Sequence, residues 1–210
     1  AETDIVDLYT RLTTAETDIA DSIADIITNA SSLKDGNLVE TKDYYEPEDG
    51  GNAKYIVVES DLSASDDGGS IIELVAGSKY LKLIKTDNIN IKQFGAKGDG
   101  ITDDTTAIQN AIDYASVTKK ELFIPKASQY YLISSGLIIT AGVAGINAEY
   151  WSYSGEIRGT GSGYTMITIK PQIGFYCKNL SIRGQGNALN GILFEDHVGI
   201  NLFEHIRVWN

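Results

Sequence analysis

Cysteine, proline and histidine are nearly absent from this sequence, with one, three and two copies in 210 residues. A lone thiol, Cys177, cannot close a disulfide within the chain, so it reads as a small buried apolar side chain. No apolar run is long enough to span a bilayer, and no signal peptide is read at the start, so a soluble assembly without membrane insertion is expected. Bases are scarce: 17 Lys and Arg face 29 Asp and Glu, a net charge of −12. Without a basic stripe, the phosphate-neutralising term of nucleic-acid binding is missing, and an anionic membrane surface is disfavoured for the same reason. His197 and His205 stand eight apart with no Cys or carboxylate at ligand spacing, so no metal site is expected.

Glycine is plentiful at 21, and Tyr outnumbers Phe twelve to five. That composition suits a mainly β protein with many Gly turns. The acidity is front-loaded. Residues 1–30 hold seven acids and one base, whereas residues 101–210 hold nine acids and eight bases.

Ala-Glu-Thr-Asp-Ile occurs at Ala1–Ile5 and again at Ala15–Ile19, two heptads on. In that frame Ile5, Leu12, Ile19 and Ile26 occupy one core position, and Ala1, Leu8, Ala15 and Ser22 the other. The pattern predicts a coiled coil over 1–30. So acidic a helix needs partner helices to bury its seam, and the small residues at alternate layers favour a trimer; the alternative is an amphipathic helix packed on its own domain.

Residues 33–88 read as a small β domain, with strands at Lys54–Glu59, Ser70–Ala76 and Tyr80–Ile84. Its Asp49-Gly50-Gly51 and Asp67-Gly68-Gly69 segments lack calcium-loop spacing and read as turns. Residues 89–210 open with a strand at Ile89–Phe94, a Gly-rich loop to Gly100 and a helix over Asp103–Val117. Thr102 is its expected N-cap, and Ala107, Ile108, Ala111, Ile112 and Ala115 its buried face. Strands follow at Glu121–Pro125, Tyr130–Ser134 and Leu137–Thr140. An Ile-Arg pair then recurs at Ile157, Ile182 and Ile206, 25 and 24 residues apart. A period in the twenties with a short strand per repeat means a solenoid, each repeat burying its apolar face by stacking on its neighbours. A solenoid ending at Asn210 would leave an open edge, so the native polypeptide is expected to continue.

The run Ile91-Lys-Gln-Phe94-Gly95-Ala96-Lys97-Gly98-Asp99-Gly100-Ile101-Thr102-Asp103-Asp104, continuing to Ile112, resembles the entry motif of the pectate-lyase-like superfamily of β-helices. Leu122–Pro125 and Tyr131–Ile133 resemble the strands that follow it. Gly36–Tyr55 resembles a small domain that precedes such helices in phage tailspikes, where a third Gly usually stands in place of Asn52. The resemblance covers roughly residues 36–210. It implies a right-handed parallel β-helix starting at residue 89, capped at its N-terminal end by the short α-helix.

It also implies a homotrimeric virion protein made in the host cytoplasm. The N-terminal helix would dock on a tail or baseplate protein. Downstream rungs would bind and degrade host surface polysaccharide by hydrolysis or lyase chemistry. A self-contained polysaccharide hydrolase or lyase, and a non-viral glycan-binding adhesin, are the alternatives. No cofactor is expected: the Gly95/Gly98/Gly100 loop lacks the Lys-Ser/Thr ending of a phosphate loop, and Asp99, Asp103 and Asp104 would repel an anion. The candidate catalytic acids are Glu195, Asp196 and Glu204, set against the plain reading of solvated rung corners. Tyr150, Trp151 and Tyr153 are candidates for stacking on sugar rings, set against packing in a loop.

Overall fold

Two units, Ala1–Lys85 and Thr86–Asn210, divide the chain in a computed structural model that describes residues 17–59, 65–76, 78–84, 86–149, 155–160, 163–185, 188–195 and 202–209. In the first, β1 (Thr17–Ala20), β2 (Leu38–Thr41), β3 (Ala53–Val58), β4 (Ile71–Val75) and β5 (Lys79–Leu83) form one sheet in the order β1-β2-β3-β5-β4. Only the β1–β2 pair is parallel. Alternation along β3 buries Ala53, Tyr55 and Val57 and leaves Lys54 in water. Val39, Ile72, Leu74, Leu81 and Leu83 complete the buried face.

The expected coiled coil does not run through residues 17–30. Thr17–Ala20 instead pairs with Leu38–Thr41, which satisfies its backbone and suits its β-branched residues. Ile19 is 68% exposed on this edge strand. Ser22 then begins a separate helix, α1 (Ile23–Thr28), through a capping box: its Oγ accepts from Asp25 N while the Asp25 carboxylate accepts from Ser22 N at 3.0 Å. Ile26, assigned to the trimer seam, is buried within its own unit together with Ile23. Ile5, Leu8, Leu12 and Ala15 lie outside the described residues. The sheet therefore begins at Thr17, ahead of the boundary expected at residue 33.

Lys79 Nζ ties the segment after α1 to the sheet. It donates to the carbonyls of Ala30 at 3.0 Å and Leu33, and pairs with Glu59 at 3.0 Å. The Asp49 carboxylate accepts from the amides of Tyr44, Tyr45 and Gly51, and that of Asp67 from Gly69 and Ile71. Both Asp-Gly-Gly segments thus use their acids to hold a turn.

The second unit opens with β6 (Asn88–Asn90), a 3-10 turn (Ile91–Phe94) and α2 (Thr105–Thr118). The expected strand over 89–94 ends at Asn90, whose side chain accepts from Lys92 N and starts the tighter turn. Thr102 is not the N-cap. Its Oγ1 donates to Asp99, and α2 begins after Asp104, whose carboxylate accepts from the amides of Lys97 at 2.7 Å and Gly98 at 3.0 Å. Burial pushes the Asp104 carboxyl up despite those bonds. Gly98 sits at φ +65°, and a Cβ there would meet Ala127 and Tyr131. Ile108, Ala111, Ile112 and Ala115 of α2 are fully buried, facing β6 and the first strands that follow; Ala107 is half-buried.

Those strands are β7 (Glu121–Ile124), β8 (Tyr131–Ile133) and β9 (Leu137–Ile139). The chain repeats the circuit with β10 (Gly145–Ala148), β11 (Glu156–Gly159) and β12 (Thr165–Ile169), then β13 (Tyr176–Lys178), β14 (Ser181–Arg183) and β15 (Asn190–Phe194). It closes with β16 (Leu202–Glu204) and β17 (Arg207–Trp209). Every third strand pairs in parallel, giving sheets β16-β13-β10-β7-β6, β17-β14-β11-β8 and β15-β12-β9, the arrangement of a parallel β-helix. Inward residues stack in files: Ile89, Leu122, Ile146, Cys177 and Phe203 in one sheet, Tyr131, Ile157, Ile182 and Val208 in the next. Burial pushes the Cys177 thiol up to about 12. On the last rung Phe203 and Val208 are 38% and 53% exposed. The Ile157–Ile182 repeat is a register pair, but Ile182 pairs with Val208 rather than Ile206, because the last rung is 26 residues long: Cys177 already pairs with Phe203, and the left-handed His205 stands where Asn179 stands one rung earlier.

Replacing Lys79 by Met keeps the aliphatic stem but leaves the Ala30 and Leu33 carbonyls without their charged donor. A loss of roughly 1.5–3 kcal/mol is expected for the first unit, read as a lower denaturant midpoint at unchanged slope.

Candidate functional site on the outer face of the β-helix

Because side chains alternate, the residues flanking inward Ile157 and Ile182 must point out of the β17-β14-β11-β8 sheet. Register then places Leu132, Arg158, Arg183 and Trp209 in one outward file, and Glu156, Ser181 and Arg207 in the file beside it. Glu156 is wholly buried at 0% exposure although it is charged. Its Oε1 accepts from Arg158 Nε and lies 4.0 Å from Arg183 Nε, and its Oε2 accepts from Ser181 Oγ at 3.2 Å. Arg158 stacks over the Tyr130 ring at 3.8 Å, and Arg183 lies 5.8 Å from the centre of the Trp209 ring. One carboxylate thus stands between two guanidiniums. This cluster was missed in the sequence, although the recurring Ile-Arg pair was its signal. Which carboxylate would sit among the arginines depends on register.

On the β16-β13-β10-β7-β6 sheet the Tyr176 ring lies over Gly145 and its hydroxyl reaches the Glu121 carboxylate. Burial first, then that bond, push the phenol up to about 12. Glu204 pairs with Lys178 at 3.3 Å on the preceding rung, and Glu195 pairs with Lys170. The structure does not bring these two candidate acids together: Glu204 ends β16 and Glu195 follows β15, in different sheets. Each is engaged in a half-exposed rung-to-rung ion pair, worth about 0–1 kcal/mol. Asp196, Tyr150, Trp151 and Tyr153 lie outside the described residues. Among the described residues no three His, Cys, Asp or Glu side chains gather as they would around a metal ion, and no helix is long and apolar enough to cross a membrane.

Residues 88–146 match the family described as rhamnogalacturonase A/epimerase, pectate lyase-like. Residues 19–86, which contain β2 to β5, match the phage tail protein small four-stranded beta-sheet domain. The chain is thus similar to a phage tail β domain followed by the start of a pectate-lyase-like β-helix. The tail spike protein of Shigella phage Sf6 is 37% identical over 112 residues, covering 50% of this chain and 17% of that protein. Over half its length, then, the chain is similar to a phage tailspike.

Two solved structures share its fold. A Pantoea stewartii glycan biofilm modifying enzyme with a bacteriophage tailspike-like parallel β-helix superposes with a TM-score of 0.62 at 14% identity, covering 91% of this chain and 30% of that one. A tailspike from Acinetobacter baumannii bacteriophage Fri1, a capsular polysaccharide depolymerase, gives 0.54 at 16%, covering 92% and 42%. The chain spans less than half the length of any of the three.

Replacing Glu156 by Gln would keep its shape and remove the carboxylate that, among the described residues, faces Arg158 and Arg183. The expected loss is roughly 1–3 kcal/mol, since both guanidiniums keep some access to water. Thermal unfolding of Glu156→Gln beside a Glu195→Gln control checks it, because the half-exposed Glu195 pair should cost about 1 kcal/mol at most.

Proposed function

We propose that this chain is the virion-attachment and shaft-start region of a trimeric phage tailspike, whose further rungs recognise and degrade a host surface polysaccharide. One observation carries the reading: a phage tail β domain over 19–86 is followed at once, at residue 88, by the start of a pectate-lyase-like β-helix. The first unit serves attachment to a tail or baseplate protein, and the second begins the shaft, with α2 covering the apolar interior of the first rung. The protein is made in the host cytoplasm and ends in the tail of the particle. Glycan degradation is supported by the depolymerase and biofilm-modifying enzymes that share the fold. Placing that chemistry on further rungs is supported by Glu195 and Glu204, which are paired to lysines on separate sheets.

Sedimentation of the intact native protein is expected to give three copies, and incubation with capsule from the phage's own host to lower the viscosity of the polymer. The 210-residue chain by itself is expected to leave that polymer intact. Cleavage by the 210 residues alone would move the active site onto these rungs, and a monomeric native protein would remove the trimer.

A further inference from the structure

Alternation sends Ile138, Thr168 and Leu193 out of the β15-β12-β9 sheet, one on each of three successive rungs and all in one register file. Ile138 is 43% exposed and Leu193 38%. The turns that follow this sheet add to the same side. There Ser116 Oγ of α2 donates to the Ala141 carbonyl at 2.7 Å, and the Gly142 amide donates to Gln172 Oε1 at 3.3 Å, linking one level to the next. Val117 and Ile173 flank those contacts at 81% and 88% exposure. A single exposed aliphatic needs no explanation, but a set repeated rung after rung along one side marks an interaction surface.

From this placement we infer that a second copy of the chain packs on the side formed by the β15-β12-β9 sheet and its following turns, with the helices parallel around a threefold axis. The inference rests on the trimeric tailspike reading and names the surface that such a trimer buries. Charge selects both the occupant and the face. The chain carries −12, so its own copy is repelled wherever like charges are brought together. Around a threefold axis running along the stack, each residue meets its own copies at the same height. Arg158 and Arg183 in one outward file, and Lys178 and Glu204 in another, would each be set against themselves. Ile138, Thr168 and Leu193 tolerate that meeting: the aliphatics form apolar layers, and the Thr168 hydroxyl both donates and accepts, as a ring of three requires. The Lys170–Glu195 pair, two residues further along the strands, sums to zero, and Asp113, bonded by Gln109 Nε2 at 2.9 Å, stands at the margin on α2. Gln109 also bonds the Ile138 amide at 2.9 Å and its carbonyl at 3.0 Å, closing the β9 edge, so copies meet here side by side and not by strand addition.

The test counts copies of the intact native protein by sedimentation and pairs that with cross-linking through a single introduced cysteine. Cys177 is buried and its thiol is pushed up to about 12, which keeps it out of the reaction. Thr168→Cys treated with a short bis-maleimide is expected to link copies to each other. Asn147→Cys, outward on the β16-β13-β10-β7-β6 sheet, is expected not to. Thr168→Glu sets three carboxylates against one another and is expected to raise the concentration of half-assembly about tenfold or more. Asn147→Glu, beside Lys178 in the register, is expected to leave that concentration unchanged. Cys is close to Thr in size, so the cross-link reads the surface even where Thr168→Glu folds poorly.

A native trimer that assembles equally well as Thr168→Glu and gives no link through Thr168→Cys would overturn the inference and leave the trimeric tailspike reading standing. Linking through Asn147→Cys but not through Thr168→Cys would move the contact to another face and overturn it as well. A Thr168→Cys thiol that neither links copies nor reacts with a monofunctional maleimide would show the side covered by its own chain, which also overturns the inference. A single copy of the native protein in solution would remove the inference and the trimer together.

Discussion

Stacking of like residues at the strand spacing is the constraint on which the second unit depends. An inward Ile on one rung is covered only by the residue in register on the next, as Ile157 is by Tyr131 and Ile182. Each such burial stabilises by about 1.5–3 kcal/mol, and it holds only while the register holds. A one-residue slip would turn Glu156 and Arg158 into the interior together. The apolar files therefore fix the outer face as firmly as the inner one. Turns and excursions between strands can vary in length, from 24 residues between β7 and β10 to 31 between β10 and β13, without disturbing either face.

The beginning of such a stack needs a different solution, because its first rung has no neighbour. In this chain the 3-10 turn, the Gly-rich loop and α2 supply it. The Asp104 carboxylate gathers the amides of Lys97 and Gly98, which lets the loop turn back tightly enough for Gly98 to pass above Tyr131. Acids in this loop are structural rather than catalytic: Asp99 holds Thr102, and Asp103 accepts from Thr105 and Ser134. The same economy operates in the first unit, where Asp49 and Asp67 hold turns. Acids from Asp49 to Asp104 are thus tied to backbone amides.

The outer face carries the polar chemistry, and there the same residue types fall into two regimes. Half-exposed Lys–Glu pairs tie rungs with one charge against another and contribute little. The Glu156 cluster is different, since a wholly buried carboxylate is bonded by two neighbours and approached by a third. Burial makes its loss costly.

The sequence by itself determined the period, and with it the fold class. Alternating and β-branched runs located β3 to β5 and β7 to β9 within one residue. The Ala/Ile spacing located α2, and the Ile-Arg repeat located the stacked pair Ile157 and Ile182. These features are local or strictly periodic, so a one-dimensional pattern carries them. Other features were decided only by tertiary structure. A heptad-like pattern over 17–30 gave way to a strand and a capped single turn, because β2 offered Thr17–Ala20 a hydrogen-bonding partner that spacing cannot reveal. Ile206 lost its place to Val208 because the rung from Cys177 to Phe203 is 26 residues long, so that Ile206 falls opposite the turn residue Leu180. The company kept by Glu195 and Glu204, and the approach of Ser181 and Arg183 to Glu156, were equally invisible, since these contacts cross rungs about 25 residues apart, where register, not sequence distance, determines contact.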